Sequence, residues 1–178
     1  NNMISRKLRI NNRNFLKYKF FNSLFLGTSI GSIFTIYTPL EPSVYSIGGI
    51  ILAVGMLFVA TLYSKILNIN YFYKISLFVE FVILSVIIAF LLFSFNYQIA
   101  LLVYIGYQVT FMFGSFLMRG ETLILKKDRI LTLVDMAKQF GYLVGLLLSF
   151  LFYKAIEYQF QIIDNQTQVF YIHYLLFF

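Results

Sequence analysis

Five long apolar stretches fill most of this sequence, and short polar segments separate them. The stretches cover residues 20–38, 43–67, 71–95, 99–118 and 131–156. Each is about as long as the roughly 20 residues that an α-helix needs to cross a lipid bilayer. Their apolar residues run continuously instead of alternating with a period of two, which favours helices over membrane strands. The sequence therefore predicts an all-α fold, a polytopic membrane helix bundle.

The composition excludes an ordinary soluble domain. The chain is 60% hydrophobic and 12% charged, whereas soluble domains average roughly 25% charged residues. Its mean hydropathy is +0.81. A chain of 178 residues cannot bury so much apolar surface inside itself, so we expect lipid to cover much of it. The absence of cysteine from the sequence excludes disulfides and thiolate metal sites.

The basic residues divide unequally between the two ends of the predicted helices. With a cytoplasmic N-terminus, all but one of the 14 Lys and Arg residues fall on the cytoplasmic side, and only Lys154 falls on the other. This distribution follows the positive-inside rule. We therefore predict a basic cytoplasmic tail over residues 1–19 and a transmembrane helical bundle over residues 20–178. Topology and anionic lipid then explain the net charge of +7, and the lipid bilayer, not nucleic acid, is the expected partner.

A sixth apolar run covers residues 169–178, which is about half the length that a span requires. It predicts a truncated last helix, so that the chain holds five complete transmembrane helices and the start of a sixth. The bundle would then pack against a second half of the same protein or against other membrane subunits. The high content of Phe, Tyr, Ile, Asn and Lys is typical of an AT-rich genome, which indicates a bacterial or organellar inner membrane.

Small residues recur at helical spacing on two of the predicted helices. Gly106, Thr110 and Gly114 follow one another at intervals of four residues, and Gly141 and Gly145 have the same spacing. Residues four apart lie on one face of an α-helix, and a face of small residues lets two membrane helices approach closely. We therefore predict that the four glycines are helix-packing positions, in a hairpin of two helices between residues 106 and 145.

Charged residues cluster between these two helices. Arg119 and Glu121 are predicted to end the first helix, and Asp135 and Lys138 to begin the second on the same side of the membrane. An acid near a helix N-terminus also suits the helix dipole. Two interpretations stay open. The four residues form a charge cluster that locks a turn, or they form a cytoplasmic gate that breaks and re-forms as the helices rock.

Glu80 lies nine residues into the third stretch, roughly 13 Å along a helix. Inserting an ionised acid at that depth costs about 2.5–3.5 kcal/mol, so we do not expect Glu80 to face lipid. It is either a structural glutamate between helices or a carboxylate for substrate binding or proton coupling. Tyr104 and Gln108, one turn apart in the fourth stretch, are further candidates to line a polar cavity, although a buried hydrogen bond between helices explains them equally well.

Signals for catalysis are weak. His173 is the single histidine of the sequence, so a His-rich metal site is excluded. The sequence contains no glycine-rich phosphate loop and no cluster of aspartates of the kind that metal-dependent transferases use. We therefore expect no enzyme activity, no metal and no cofactor.

Six helices with a cytoplasmic start, and a charged connection between the fourth and the fifth, resemble the N-terminal half of a major facilitator superfamily transporter. Residues 114–125, GSFLMRGETLIL, are similar to the polar end of that family's fourth helix and the amphipathic link that follows it. Residues 141–145, GYLVG, are similar to its glycine-bearing fifth helix. The resemblance implies alternating access between two six-helix halves, with a small-molecule substrate at the midplane.

A second class of function needs no transport. Small aromatic-rich membrane chains also serve as accessory or assembly subunits of larger complexes. Such a subunit would use its small-residue faces and its buried charges to pack on partner subunits. It would need no polar cavity between its own helices, and this difference separates the two hypotheses.

Overall fold

The computed structural model describes residues 10–93 and 95–178, and all regular structure within these ranges is helical. Three basic residues of the predicted tail, Arg6, Lys7 and Arg9, lie outside the described residues. The described part of the chain contains eight helices: α1 (Asn12–Ile36), α2 (Pro42–Thr61), α3 (Tyr63–Ile66), α4 (Ile69–Leu92), α5 (Tyr97–Met112), α6 (Gly114–Leu125), α7 (Asp128–Phe160) and α8 (Asn165–Phe177).

Polar side chains at the turns cap the starts of four of the eight helices. The side-chain oxygens of Asn11, Asn68 and Asn96 accept hydrogen bonds from backbone N–H groups in the first turns of α1, α4 and α5. Asp164 does the same for α8, where the hydroxyl and the backbone N–H of Thr167 both donate to it. These bonds hold the pKa of Asp164 below its usual value. Such caps satisfy N–H groups that have no partner within the helix.

Four helical segments in the described chain are long and apolar enough to cross a membrane. They are α2, α4, the continuous segment Tyr97–Leu125 formed by α5 and α6, and α7. The structure therefore confirms a bundle with four candidate spans, while five complete spans and the start of a sixth stay a prediction. The 25 residues of α1 include many polar side chains, and α8 has only 13 residues. The four apolar helices are compatible with an integral membrane protein.

The charged hairpin turn is much shorter than the sequence predicted. Arg119 and Glu121 lie inside α6, and the turn consists of Lys126 and Lys127. Lys126 ends α6 with a φ of 52°, in the left-handed region. Asp135 also does not begin a helix, since it lies two turns inside α7. The helices extend further than the apolar runs because α6 and the start of α7 have one buried face and one exposed, polar face.

Helices α1 and α7 pack backbone against backbone. A Cβ atom at Gly145 would overlap the carbonyl oxygen of Leu24 and would lie 2.9 Å from the backbone N of Thr28. A Cβ at Gly141 would overlap the carbonyl oxygen of Phe20. The Thr28 hydroxyl also lies 3.4 Å from the carbonyl oxygen of Gly145, as a donor between the helices. The glycines of α7 thus lie where α7 meets α1, not where it meets α6.

The other two predicted packing glycines differ from each other. A Cβ at Gly106 would overlap the side chain of Val86, so this glycine lies against α4. Gly114 has no atom within 4 Å of the Cβ position, so the expectation that it packs against a helix is wrong for the described residues. The reason is a break at Phe113, where α5 ends and α6 begins, which interrupts the face that Gly106 and Thr110 share.

Two apolar clusters mark the two ends of the bundle. Phe15, Phe72, Leu125 and Val134 form one cluster, where α1, α4 and α7 begin and α6 ends. We call this the basic end, because every Lys and Arg that the structure describes, apart from Lys154, lies nearer to it than to the opposite end, when α5 and α6 are taken as the continuous segment Tyr97–Leu125. The second cluster lies at the opposite end and contains Ile36, Phe90, Tyr104 and Val169, among others. The helices that connect the two ends therefore alternate in direction.

Candidate functional site

Glu80 lies at the middle of α4, roughly 17 Å from either end of the helix. Its Oε1 atom accepts a hydrogen bond of 2.7 Å from the Tyr18 hydroxyl and one of 2.8 Å from the Asn22 amide nitrogen. Tyr18 and Asn22 are four residues apart and therefore share one face of α1. Among the described residues, no Lys or Arg nitrogen lies within 4.0 Å of the Glu80 carboxylate. Neutral donors therefore hold a carboxylate that carries no ion pair.

Two clefts lie on either side of this hydrogen-bonded group. The first has a volume of about 400 Å³ and is lined by Phe15, Phe72 and Tyr73 in addition to Tyr18 and Glu80. The second has a volume of about 500 Å³, and Tyr18, Asn22 and Glu80 again line it, together with apolar residues of α1, α4, α7 and α8. Both volumes fall in the range of roughly 300–1,000 Å³ that is usual for small-molecule sites. Their lining is mostly apolar, with a few polar groups that converge on Glu80.

Tyr104 and Gln108 do not join Glu80 at this site. The Tyr104 hydroxyl donates to the carbonyl oxygen of Tyr45 over 3.3 Å, and the Tyr104 ring packs edge-on against Tyr37 and Tyr45, both with centroids 5.4 Å apart. The Gln108 Oε1 atom is buried and accepts no hydrogen bond from the described residues. The grouping of these residues with Glu80 is therefore wrong, because Tyr104 belongs to the apolar cluster at the opposite end of the bundle.

A second polar group lies nearer to the basic end and centres on Glu121. Glu121 is 4% exposed, and its carboxylate pairs with Lys19 at 2.7 Å and with Lys138 at 2.6 Å. Lys138 also approaches Asp135 at 3.5 Å, but the Asp135 side chain is 75% exposed. We call Lys19, Glu121 and Lys138 the lysine–glutamate cluster. It joins α1, α6 and α7 through one buried carboxylate.

Three of the four residues predicted as a charged cluster thus come together, and Arg119 does not. Arg119 is exposed, and its guanidinium lies 6.0 Å from the ring centroid of Tyr63 instead of beside an acid. Arg119 and Glu121 are two residues apart in α6, so their side chains point in different directions around the helix. The prediction that Arg119 belongs to the cluster was therefore wrong.

The two polar groups meet on a single turn of α1. Tyr18 contacts Glu80, and the next residue, Lys19, contacts Glu121. Sequence reasoning missed Tyr18, Lys19 and Asn22 as site residues, since the first two were assigned to the N-terminal tail. One signal was available in the polar character of α1, because a membrane helix rich in Asn, Ser and Thr normally faces other helices or a wet cavity.

The described residues suggest no metal centre. No three His, Cys, Asp or Glu side chains within 10–93 and 95–178 are placed to share a metal ion. His173 lies against the Phe90 ring with centroids 4.1 Å apart, and its Nδ1 atom is 2.7 Å from the carbonyl oxygen of Val169. This histidine is therefore part of the packing between α8 and α4.

Comparisons of the chain with protein-family models, with curated proteins and with solved structures found no match. The residues and their geometry are therefore the basis for assigning a function.

Proposed function

We propose that this chain is part of a secondary-active transporter that moves a small solute across a membrane by alternating access. The observation that carries the proposal is the group formed by Glu80, Tyr18 and Asn22, which bridges α1 and α4 between two clefts. A carboxylate at the middle of a membrane helix is costly. Acids within membrane helices usually face the bundle interior or a water-filled cavity, and they often mark the paths of substrates or ions.

We propose further that the helices correspond to the N-terminal half of a major facilitator-like transporter, in a bacterial or organellar inner membrane, with the basic end in the cytoplasm. This assignment rests on the resemblance of residues 114–125 and 141–145 to that family, and the alternating direction of the helices is compatible with it. In this role, the lysine–glutamate cluster holds the basic ends of α1, α6 and α7 together, and the cleft beside Glu80 is the path of the solute. Alternating access would then expose the cleft to each side in turn.

The test uses the thiol chemistry of single cysteines, and the absence of cysteine from the sequence makes its background low. Ser76 lines the first cleft, one turn before Glu80. In native membranes, Ser76→Cys should react with a membrane-impermeant maleimide both in right-side-out and in inside-out vesicles. Leu57→Cys is the matched control, because Leu57 is exposed on the apolar outer face of α2 and should stay unreactive in lipid.

Reaction of Ser76→Cys from one side alone, or from neither, would contradict alternating access. No reaction from either side would favour the other class of function, an accessory or assembly subunit whose helices enclose no water-filled path. Because the maleimide reports on the path of water and not on the solute, the solute does not have to be identified first.

A further inference from the structure

The Glu80 carboxylate has an unused oxygen and no counter-ion among the described residues. Both hydrogen bonds go to Oε1, which leaves Oε2 without a donor from the described chain. Lys19 of α1 pairs with Glu121 at 2.7 Å, and its Nζ atom also lies over the Phe15 and Tyr18 rings, 5.2 and 5.6 Å from their centroids. Lys74 lies in α4 itself, but its Nζ atom lies over the Tyr71 ring, 5.7 Å from the centroid, and forms no ion pair with Glu80. The cleft therefore presents a carboxylate that forms no ion pair with the described residues.

Aromatic side chains form part of the walls around this carboxylate. Phe15, Tyr18, Phe72 and Tyr73 line the first cleft, and Phe21 and Phe25 line the second beside Asn22. The faces of aromatic rings attract cations, and the attraction grows where water is excluded. Lys19 lies over the Phe15 and Tyr18 rings, which leaves Phe72 and Tyr73 as the rings of the first cleft that a ligand can contact. A carboxylate in a cleft that is also lined by such rings favours a positively charged ligand that has an apolar body.

The ligand set argues against a bare inorganic ion. Calcium takes six to eight oxygen ligands, and magnesium requires a near-octahedral arrangement. Glu80 supplies the carboxylate at this position, and its neighbours Tyr18 and Asn22 point their donor groups towards that carboxylate. A cleft of 400–500 Å³ also has far more room than a metal ion needs. An organic cation fills such a space with its own carbon atoms.

We infer that the cleft between α1 and α4 binds an organic ammonium ion, with Glu80 as the counter-ion, Tyr18 and Asn22 as the groups that orient the carboxylate, and the aromatic rings around the apolar body of the ligand. This inference rests on the proposed function and names its substrate class. Ammonium groups also occur in lipid headgroups, but the position of Glu80 at the middle of α4 places it away from the headgroup region. The free cation is therefore the proposed ligand.

The experiment measures binding and does not need transport. The protein is purified in a neutral maltoside detergent, and radiolabelled benzyltrimethylammonium is added in equilibrium dialysis. We expect saturable binding that unlabelled benzyltrimethylammonium displaces. Neopentylbenzene, the neutral isostere in which carbon replaces nitrogen, should fail to displace the label. This comparison uses the natural sequence, so it does not depend on the folding of any variant.

Variants then assign the binding to Glu80. Glu80→Gln keeps the shape of the side chain and removes its charge, and we expect the affinity to fall by about tenfold or more, because the attraction between the carboxylate and the quaternary ammonium is lost. Tyr18→Phe keeps the aromatic ring but loses one hydrogen bond to Oε1, and should weaken binding by a smaller factor. Glu157→Gln is the matched control, because Glu157 is an acid at the opposite end that pairs with Lys154, and it should bind as the natural protein does.

Three results would overturn the inference. The first is that neopentylbenzene displaces the label as effectively as unlabelled benzyltrimethylammonium. The second is that Glu80→Gln binds the cation with unchanged affinity. The third is that short-chain phosphatidylcholine binds in preference to benzyltrimethylammonium, which would make the cleft a headgroup site. Failure here is distinct from failure of the proposed function. Two-sided labelling of Ser76→Cys without cation binding would retain a transporter of another solute, and cation binding with one-sided labelling would retain the site and reject transport.

Discussion

Glu121 shows how one buried side chain can hold three helices. Its carboxylate accepts from Lys19 of α1 and from Lys138 of α7, while Glu121 itself belongs to α6. Removing an ion from water is costly, and the cost is offset only when its partners are close and well oriented. Two lysines within 2.7 Å provide such partners. The cluster has one acid and two bases, and Glu121 is the one buried carboxylate that both lysines share, since the Asp135 side chain near Lys138 is exposed.

Replacing Glu121 with Gln should therefore destabilise the protein strongly. The change keeps the size of the side chain but leaves two lysines beside a neutral group, with side chains that are 12% and 28% exposed. We expect a loss of about 3 kcal/mol, or roughly 10 °C in the midpoint of thermal unfolding. Circular dichroism of the detergent-solubilised protein measures this midpoint.

Arg119→Gln is the control for that experiment. Arg119 lies two residues away in the same helix, but it is exposed and pairs with no acid among the described residues. Its replacement should shift the midpoint by only a degree or two. Equal shifts for the two variants would show that Glu121 does not stabilise the bundle through its lysines.

At the scale of residues, the sequence predicted which side chains are unusual but not which of them meet. The sequence predicted an unusual environment for Glu80, because an acid within an apolar run must avoid contact with lipid. Its partners Tyr18 and Asn22 could not be predicted. They lie 62 and 58 residues away in the sequence, on a helix whose neighbouring helices the sequence does not specify. For the same reason, the sequence could not show that Tyr104 lies at the opposite end of the bundle from the Glu80 site. Only the packing of helices decides which polar residues share a site.

At the scale of helices, the pair α1 and α7 is the closest packed part of the fold. Gly27 of α1 faces the carbonyl oxygen of Tyr142, and Gly141 and Gly145 of α7 face carbonyl oxygens of α1. Close approach of this kind needs glycine, because any Cβ atom would collide with backbone that cannot move alone. The four-residue spacing predicted a small-residue face on α7, but nothing in that spacing identified α1 as the helix that contacts it.

Gly145→Ala should consequently disrupt the packing of α1 on α7. The added methyl group meets the carbonyl oxygen of Leu24 and the backbone N of Thr28, so the helices must separate. We expect a loss of about 1–3 kcal/mol, measured as a lower midpoint of thermal unfolding and a smaller monodisperse fraction in size-exclusion chromatography.

Two glycines of the same chain serve as controls for this prediction. Gly49 and Gly114 lie in helices and have no atom within 4 Å of the Cβ position, so alanine at either site should cause no loss and should stabilise the protein by up to about 1 kcal/mol, because alanine is favoured over glycine in a helix. A similar loss at all three positions would mean that alanine acts through the helix backbone in general, and that contact between α1 and α7 is not what Gly145 provides.

At the scale of the whole molecule, the distribution of charge agrees with the direction of the helices. The turn at Lys126 and Lys127 and the start of α1 lie at the basic end, whereas Lys154 and the loop after α7 lie at the opposite end. This separation was predictable, because it needs only the order of the apolar runs and the positions of Lys and Arg. The number of spans was less predictable, because α1 is polar on the side that packs against α7 and α8, and hydropathy alone does not distinguish such a helix from a surface one.

The same separation predicts the orientation of the protein in its membrane. Because basic segments stay in the cytoplasm, a cysteine at Lys127, in the exposed turn between α6 and α7, should be protected from an impermeant maleimide in intact cells. A cysteine at Ile163, which is 76% exposed in the loop before α8, should react without any treatment. Permeabilisation should make Lys127→Cys as reactive as Ile163→Cys, which shows that protection comes from the membrane and not from burial. Labelling of Lys127→Cys in intact cells, with protection of Ile163→Cys, would place the basic end outside the cytoplasm. That result would contradict the predicted orientation, and with it the proposed cytoplasmic position of the lysine–glutamate cluster.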